Sequence, residues 1–215
     1  MPPARVLPVD ELVARARALA EAGSRQLLGI AGAPGAGKST LAERVVAEVG
    51  PVARLVPMDG FHLAQSQLVR LGRDGRKGAA DTFDANGYVS LLRRLRRLEP
   101  TSVYAPEFRR ELEEPVAGAI EVPPSVRLVV TEGNYLLLSD DPWQEIRQLL
   151  HEVWFLDLDA EVRQRRLTAR HEAYGRSPEQ ARAWALGSDE SNASLVSGTA
   201  DRADLVVRLP EPPAP

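Results

Sequence analysis

The stretch Gly32-Ala33-Pro34-Gly35-Ala36-Gly37-Lys38-Ser39 narrows most sharply what this chain can fold into. Glycine, four residues, then glycine, lysine and a hydroxyl residue is the spacing of a loop that cradles phosphates, and such a loop requires a strand before it and a helix after it. Both flanks fit. Gln26 to Gly32 is a short apolar run, and Lys38 to Val49 has helical composition closed by Gly50-Pro51. Gly35 and Gly37 permit backbone angles that a side chain forbids, so successive N–H groups converge on phosphate oxygens at the positive end of the helix. Gly32, Ala33, Pro34, Gly35, Ala36, Gly37, Lys38, Ser39 and Thr40 are therefore the candidate nucleotide-binding residues. In this motif the lysine bridges the β- and γ-phosphates and the serine hydroxyl reaches Mg²⁺.

Further apolar runs at Ala53 to Met58, Val126 to Thr131, Val153 to Leu158 and Ala203 to Leu209 alternate with helical patterns at Ala85 to Leu98, Trp143 to Leu150 and Glu161 to His171. An amphipathic helix over Val9 to Ala22 precedes them. Strands alternating with helices predict an α/β fold of three layers, with a five-stranded parallel sheet covered on both faces. Two segments break the alternation. Leu71 to Asp84, with three glycines among charged residues, reads as a mobile loop. Thr101 to Pro106 and Val116 to Val122 read as an inserted hairpin whose ladder is limited by Pro106 and Pro115. The 215 residues suit a single domain over 1–210, followed by a proline-rich flexible tail over 211–215.

Composition excludes several classes. A net charge of −3 offers no general attraction for nucleic acid or anionic lipid. No apolar stretch approaches the roughly 18 residues of a membrane span, and the N-terminus reads as no signal peptide. The absence of cysteine rules out disulfides and thiol catalysis and fits a reducing cytoplasm. His62, His151 and His171 lie at unrelated spacings, so no zinc site is expected. The exposed helix faces carry no apolar stripe separable from core packing, so monomer and homodimer both stay open. Lysine occurs only at Lys38 and Lys77 in an otherwise arginine-based set of cations, both times beside glycine. Where arginine's broad fork does not fit, a compact ammonium does, and Lys77 is a candidate anchor for an anionic or polyhydroxyl acceptor.

In an open parallel sheet, ligands gather at the carboxyl ends of the strands. Asp59 follows Leu55-Val-Pro-Met, and Glu132 follows Leu128-Val-Val-Thr. An acceptor hydroxyl must lose its proton as a phosphoryl group arrives, which suits Asp59 as a general base; Glu132 is placed as the second magnesium anchor beside Ser39. Arg163, Arg166 and Arg170 recur at spacings of three and four on one helical face, where they would bring positive charge over the transferring group.

Together with Gly32 to Ser39, the segments Pro57-Met-Asp-Gly-Phe-His62, Arg76-Lys-Gly-Ala-Ala-Asp-Thr-Phe-Asp84, Tyr104-Ala-Pro-Glu-Phe-Arg-Arg110, Thr131-Glu-Gly-Asn-Tyr135 and Arg166-Leu-Thr-Ala-Arg-His171 resemble the P-loop kinases that include uridine kinase, phosphoribulokinase and bacterial pantothenate kinase. The similarity is greatest to the bacterial nucleoside/nucleotide kinase-like, or fructose-transport-system kinase-like, branch and covers residues 25 to 207. It implies ATP and Mg²⁺ as cofactors and a helical lid. It implies Lys38, Asp59 and the lid arginines Arg166 and Arg170 as catalytic residues. Phe61, His62, Lys77, Asp81, Phe83, Tyr104, Arg110 and Tyr135 would shape the acceptor pocket. Arg109 stands where related kinases commonly carry aspartate. The leading expectation is phosphoryl transfer from ATP to a hydroxyl of a small metabolite, such as a nucleoside, a sugar or a pantothenate-like compound. The alternatives are a nucleotide-dependent switch or assembly ATPase, against which stands the missing Asn-Lys-x-Asp guanine motif, and a noncatalytic regulator.

Overall fold

Alternation along the apolar strands builds two cores, one on each face of a single parallel sheet. In the computed structural model, which describes residues 3–210, the chain runs β1 (Arg5–Val6), α1 (Val9–Ala20), β2 (Gln26–Ala31), α2 (Lys38–Val49), β3 (Ala53–Leu55), α3 (Gln65–Arg70), α4 (Ala85–Arg97), β4 (Val103–Arg109) and β5 (Glu114–Val122). It continues through β6 (Leu128–Gly133), α5 (Gln144–Leu149), β7 (Glu152–Leu156), α6 (Ala160–Ala173), α7 (Pro178–Leu186), α8 (Ser188–Ser197) and β8 (Leu205–Arg208). The strand order is β1-β8-β7-β2-β6-β3, all parallel. The sheet thus has six strands, one more than expected. The addition is the two-residue edge strand β1, too short and too exposed to leave a period-2 pattern.

Leu28, Ile30, Leu128, Val130, Trp154, Leu156, Leu205 and Val207 face α1 and α2. Leu27, Val129, Val153, Phe155 and Val206 face the opposite way, toward α4, α5 and the hairpin base. Odd and even positions of each strand therefore serve different layers, which is why these runs are continuously apolar. Among the described residues no helix is long and apolar enough to cross a membrane.

Three local expectations are corrected. β3 stops at Leu55 rather than Met58, because Pro57 has no N–H to extend the ladder, and Asp59 sits in a 3₁₀ turn over Met58–Phe61. The hairpin β4–β5 is longer than expected; the register shifts between Ala105 and Glu107, absorbing Pro106 in a bulge. The glycine-rich segment 71–84 is held in place: Leu63 N–H donates to Thr82 O (2.9 Å) and Arg73 donates to Asp81 O (2.6 Å). The expected tail over 211–215 lies outside the described residues.

Candidate active site

β2 is the third strand from the β3 edge, with β6 on one side and β7 on the other, so the loop that follows it opens at the middle of the sheet's carboxyl edge. Gly35 and Gly37 adopt φ of +80° and +96°, the left-handed values that their lack of a Cβ allows. A Cβ on Gly35 would stand 2.8 Å from Leu167 Cγ, and one on Gly32 would stand 2.7 Å from Leu156 O. The cradle is thus closed from above by α6 and from the side by the end of β7.

Lys38 is buried, and its ammonium donates to Asn134 Oδ1 (2.8 Å) and to Ala33 O (3.1 Å). Burial pushes its pKa down; Glu132 and Asp59 counter that, while Arg170 and Arg163 add to it. Ser39 Oγ donates to Glu132 Oε1 at 3.0 Å. Glu132 is only 5% exposed, and burial followed by repulsion from Asp59 raises its pKa to about 7, against the opposing pull of Lys38 and the Ser39 hydrogen bond. Ser39 and Glu132 together present two oxygens to one point, the donor chemistry that Mg²⁺ prefers.

Two cavities meet over this centre. The larger, of about 900 Å³, is lined by the loop from Gly35 to Leu41 with Arg44, Arg110, Arg166, Arg170 and Tyr174. The second, of about 520 Å³, shares Gly35, Lys38, Ser39, Arg110, Arg170 and Tyr174 with it and adds Asp59, His62, Lys77, Phe83, Phe108, Glu132 and Asn134. Further wall comes from the lid, through His171, Arg176, Trp184, Asp189 and Asn192, and from Glu113 in the turn between β4 and β5. His62 Nδ1 donates to Asp59 O (2.8 Å), and its ring packs against Phe83 (4.0 Å between centroids) and Phe108 (4.8 Å). Burial lowers the His62 pKa, outweighing the opposing pull of Asp59, and favours a neutral imidazole.

The structure gathers Lys38, Ser39, Asp59, His62, Lys77, Phe83, Arg110, Glu132 and Arg170 around one cleft, with Arg166 on its larger half. Four expected acceptor residues line neither cavity. Tyr104 is 55% exposed, because on β4 it points away from the face that buries Val103 and Ala105. Asp81 is turned to Arg76 and Arg73. Tyr135 is fully buried and donates its hydroxyl to Gly78 O, and Phe61 packs on Tyr88 (5.1 Å). Arg163 also departs from its expected role: it is 4% exposed, bonded to Glu190 of α8 and donating to Pro34 O (3.5 Å). It fastens the lid to the loop and lines neither cavity of the cleft. Residues that sequence reasoning left without a role include Asn134, visible within its motif but with no pattern marking it as the lysine's partner. Trp184 and Asn192 lie on helices the periodicity did not reveal, and Arg176 lies in the turn between α6 and α7.

Residues 27–211 match the family model described as the phosphoribulokinase / uridine kinase family. A Schizosaccharomyces pombe protein named as a candidate uridine kinase is 36% identical over 174 residues, spanning 75% of this chain and 73% of its own length. An ATP-dependent kinase of Lachancea thermotolerans, YFH7, is 30% identical over 193 residues, covering 69% of this chain and 54% of its own. The crystal structure of a candidate fructose transport system kinase from a Silicibacter species superposes with a TM-score of 0.84 at 33% identity, covering 93% of this chain and 98% of that one. With its glycine cradle, buried lysine and hydroxyl–carboxylate pair, this chain belongs to the phosphoribulokinase / uridine kinase family of P-loop kinases.

Proposed function

We propose that this kinase transfers the γ-phosphoryl of MgATP to a hydroxyl group of a small metabolite bound in the 520 Å³ cavity. The observation that carries the reading is the way the two cavities share Lys38, Ser39, Arg110 and Arg170 while Asp59 lines only the smaller one. Such an arrangement suits a triphosphate on one side, an acceptor on the other, and a carboxylate on the acceptor side alone. The smaller volume suits a metabolite.

In this reading the loop N–H groups and Lys38 hold the β- and γ-phosphates, Lys38 leaving Asn134 for a phosphate oxygen. Ser39 and Glu132 would hold Mg²⁺, which rarely relies on protein ligands alone and would supply charge neutralisation at the triphosphate. Asp59 takes the acceptor's proton as the new O–P bond forms and the bond to the β–γ bridging oxygen breaks, releasing ADP. Arg166 and Arg170 meet the charge that spreads over the transferring group.

A coupled ADP-release assay with MgATP across neutral, phosphorylated and carboxylated alcohols tests this. One compound should stimulate turnover strongly, and Asp59→Asn should lower kcat by about 10²-fold or more with ATP affinity retained. ATP hydrolysis indifferent to every compound and to the substitution would instead fit the switch ATPase.

A further inference from the structure

Seven lysines and arginines line the cleft, and they divide between its halves. Arg44 and Arg166 line the nucleotide cavity alone; Lys38, Arg110 and Arg170 line both; Lys77 and Arg176 line the acceptor cavity alone. The triphosphate, part-neutralised by its metal ion, accounts for the first five. It does not account for the last two.

Both are held ready for a ligand. The Arg176 guanidinium lies over the Trp184 indole at 4.1 Å and has no carboxylate or hydrogen-bond acceptor among the described residues. A guanidinium stacked by its face keeps its rim of N–H donors free for an oxyanion in the cleft. Lys77 donates to Glu113 O (2.6 Å), with its ammonium 5.2 Å from the Phe108 centroid and its side chain 19% exposed. That leaves two of its three N–H donors for a ligand. The loop carrying it is fixed at the next residue, where Gly78 O accepts from the Tyr135 hydroxyl and from Asn192 Nδ2 (3.5 Å) of α8. Ordering these side chains in advance lowers the entropy lost when a ligand binds.

The acids on this wall do not cancel the charge. Asp189 accepts from His171 Nε2 at 2.7 Å, and the Glu113 carboxylate, 65% exposed, sits 3.6 Å from Lys77. Asp59 and Glu132 belong to the catalytic centre.

We propose that the acceptor carries an oxyanion, a phosphate or carboxylate group in addition to its reacting hydroxyl, and that Lys77 and Arg176 bind it. This rests on the smaller cavity being the acceptor site of a kinase. The turn between α6 and α7 and α7 itself, through Arg176 and Trp184, then set substrate specificity, while α6 covers the nucleotide.

The test is calorimetric titration of inorganic phosphate, and separately malonate, into protein saturated with Mg²⁺ and a non-hydrolysable ATP analogue, so that the P-loop is already filled. Wild type should show one saturable oxyanion site, weakened at least tenfold by Arg176→Ala and by Lys77→Ala, with melting temperature and analogue affinity unchanged. In the ADP-release panel the same variants should raise KM for the stimulating acceptor far more than they lower kcat. No saturable oxyanion site, a site indifferent to both substitutions, or stimulation by a neutral acceptor with an unchanged KM would overturn the proposal. Failure of the kinase reading looks different: oxyanion binding would persist and depend on Arg176 and Lys77, while no compound would accelerate ADP release.

Discussion

Glu132 is held against its own ionisation in the nucleotide-free protein, and Glu132→Gln turns that into a measurable quantity. Its pKa of about 7 stands roughly 2.5 units above the ordinary 4.5, first because it is buried and second because Asp59 repels it. At about 1.4 kcal/mol per unit, the folded state gives up about 3 kcal/mol in letting this carboxyl ionise. Between pH 4.5 and 7 the unfolded chain has lost the proton while the folded chain retains it. Stability is therefore fully present below the lower value and declines as pH rises to the upper one. Glutamine keeps the shape and an oxygen to accept from Ser39 but has no proton to lose. In thermal melts of the apo protein from pH 4.5 to 8, the stability of the variant relative to wild type should climb by about 3 kcal/mol and level off above pH 7, roughly 6–12 °C in Tm for a chain of this size. Added MgADP should shrink the gap, because a metal ion favours the ionised carboxylate in wild type only. A difference that stays flat across this range would refute the reasoning, for Glu132 would then ionise as freely folded as unfolded.

Gly35→Ala places a Cβ at φ +80° within 2.8 Å of Leu167 Cγ and 3.1 Å of Arg163 Cγ, so either the loop or the lid must shift. We expect about 1–3 kcal/mol of lost stability and at least tenfold weaker ATP binding by titration; unchanged affinity would mean the lid does not press on the loop in solution. Arg25 is 3% exposed and donates to Val126 O (2.9 Å), Pro123 O (2.7 Å) and Leu95 O (3.3 Å), tying α4 to the strand-entry turns of β2 and β6. Arg25→Ala strands three carbonyls and should cost about 3–5 kcal/mol in urea denaturation, whereas a loss below 1 kcal/mol would show that water reaches them.

Much of the fold was legible because its signals are local. The β2 run, the glycine spacing and the helix composition after Lys38 are contiguous, and each implies the others. Likewise Asp59 and Glu132 could be placed by their distance from strand ends, although the turn at Pro57 shifts Asp59 four residues beyond β3. What escaped depends on distant partners. The sequence of α8, Ser188–Ser197, is mostly small and polar, because it buries only Asp189, Ala193 and Val196 and has no broad apolar stripe to detect. Tyr104 was misplaced because a motif conveys proximity along the chain but not the parity of a strand, and on β4 that parity aims it outward. Arg163 shares helical spacing with Arg166 and Arg170, but its fate is decided by Glu190, 27 residues away on an element that periodicity did not reveal.

The geometry of α6 shows why those arginines must differ. Arg163 and Leu167 lie four apart, as do Arg166 and Arg170, so the two pairs form neighbouring rows on one helix. The first row is buried against the loop, with Leu167 over Gly35 and Arg163 bonded to Glu190. The second row consequently faces the cavity above Lys38 and Ser39. A helix docked by one row can deliver charge from the next only while docked. In the proposed reaction, lid docking and the supply of positive charge to the transferring phosphoryl would then be one event, set by helical pitch. Arg166 and Arg170, unpaired among the described residues, line the cavity without a carboxylate of the chain's own and, in the proposed reaction, would meet a phosphate. This division also accounts for burying Arg163. Its bond to Glu190 gives the docked position a charged contact outside the cavity, while Arg170 disfavours the charge on Lys38 until an anion arrives.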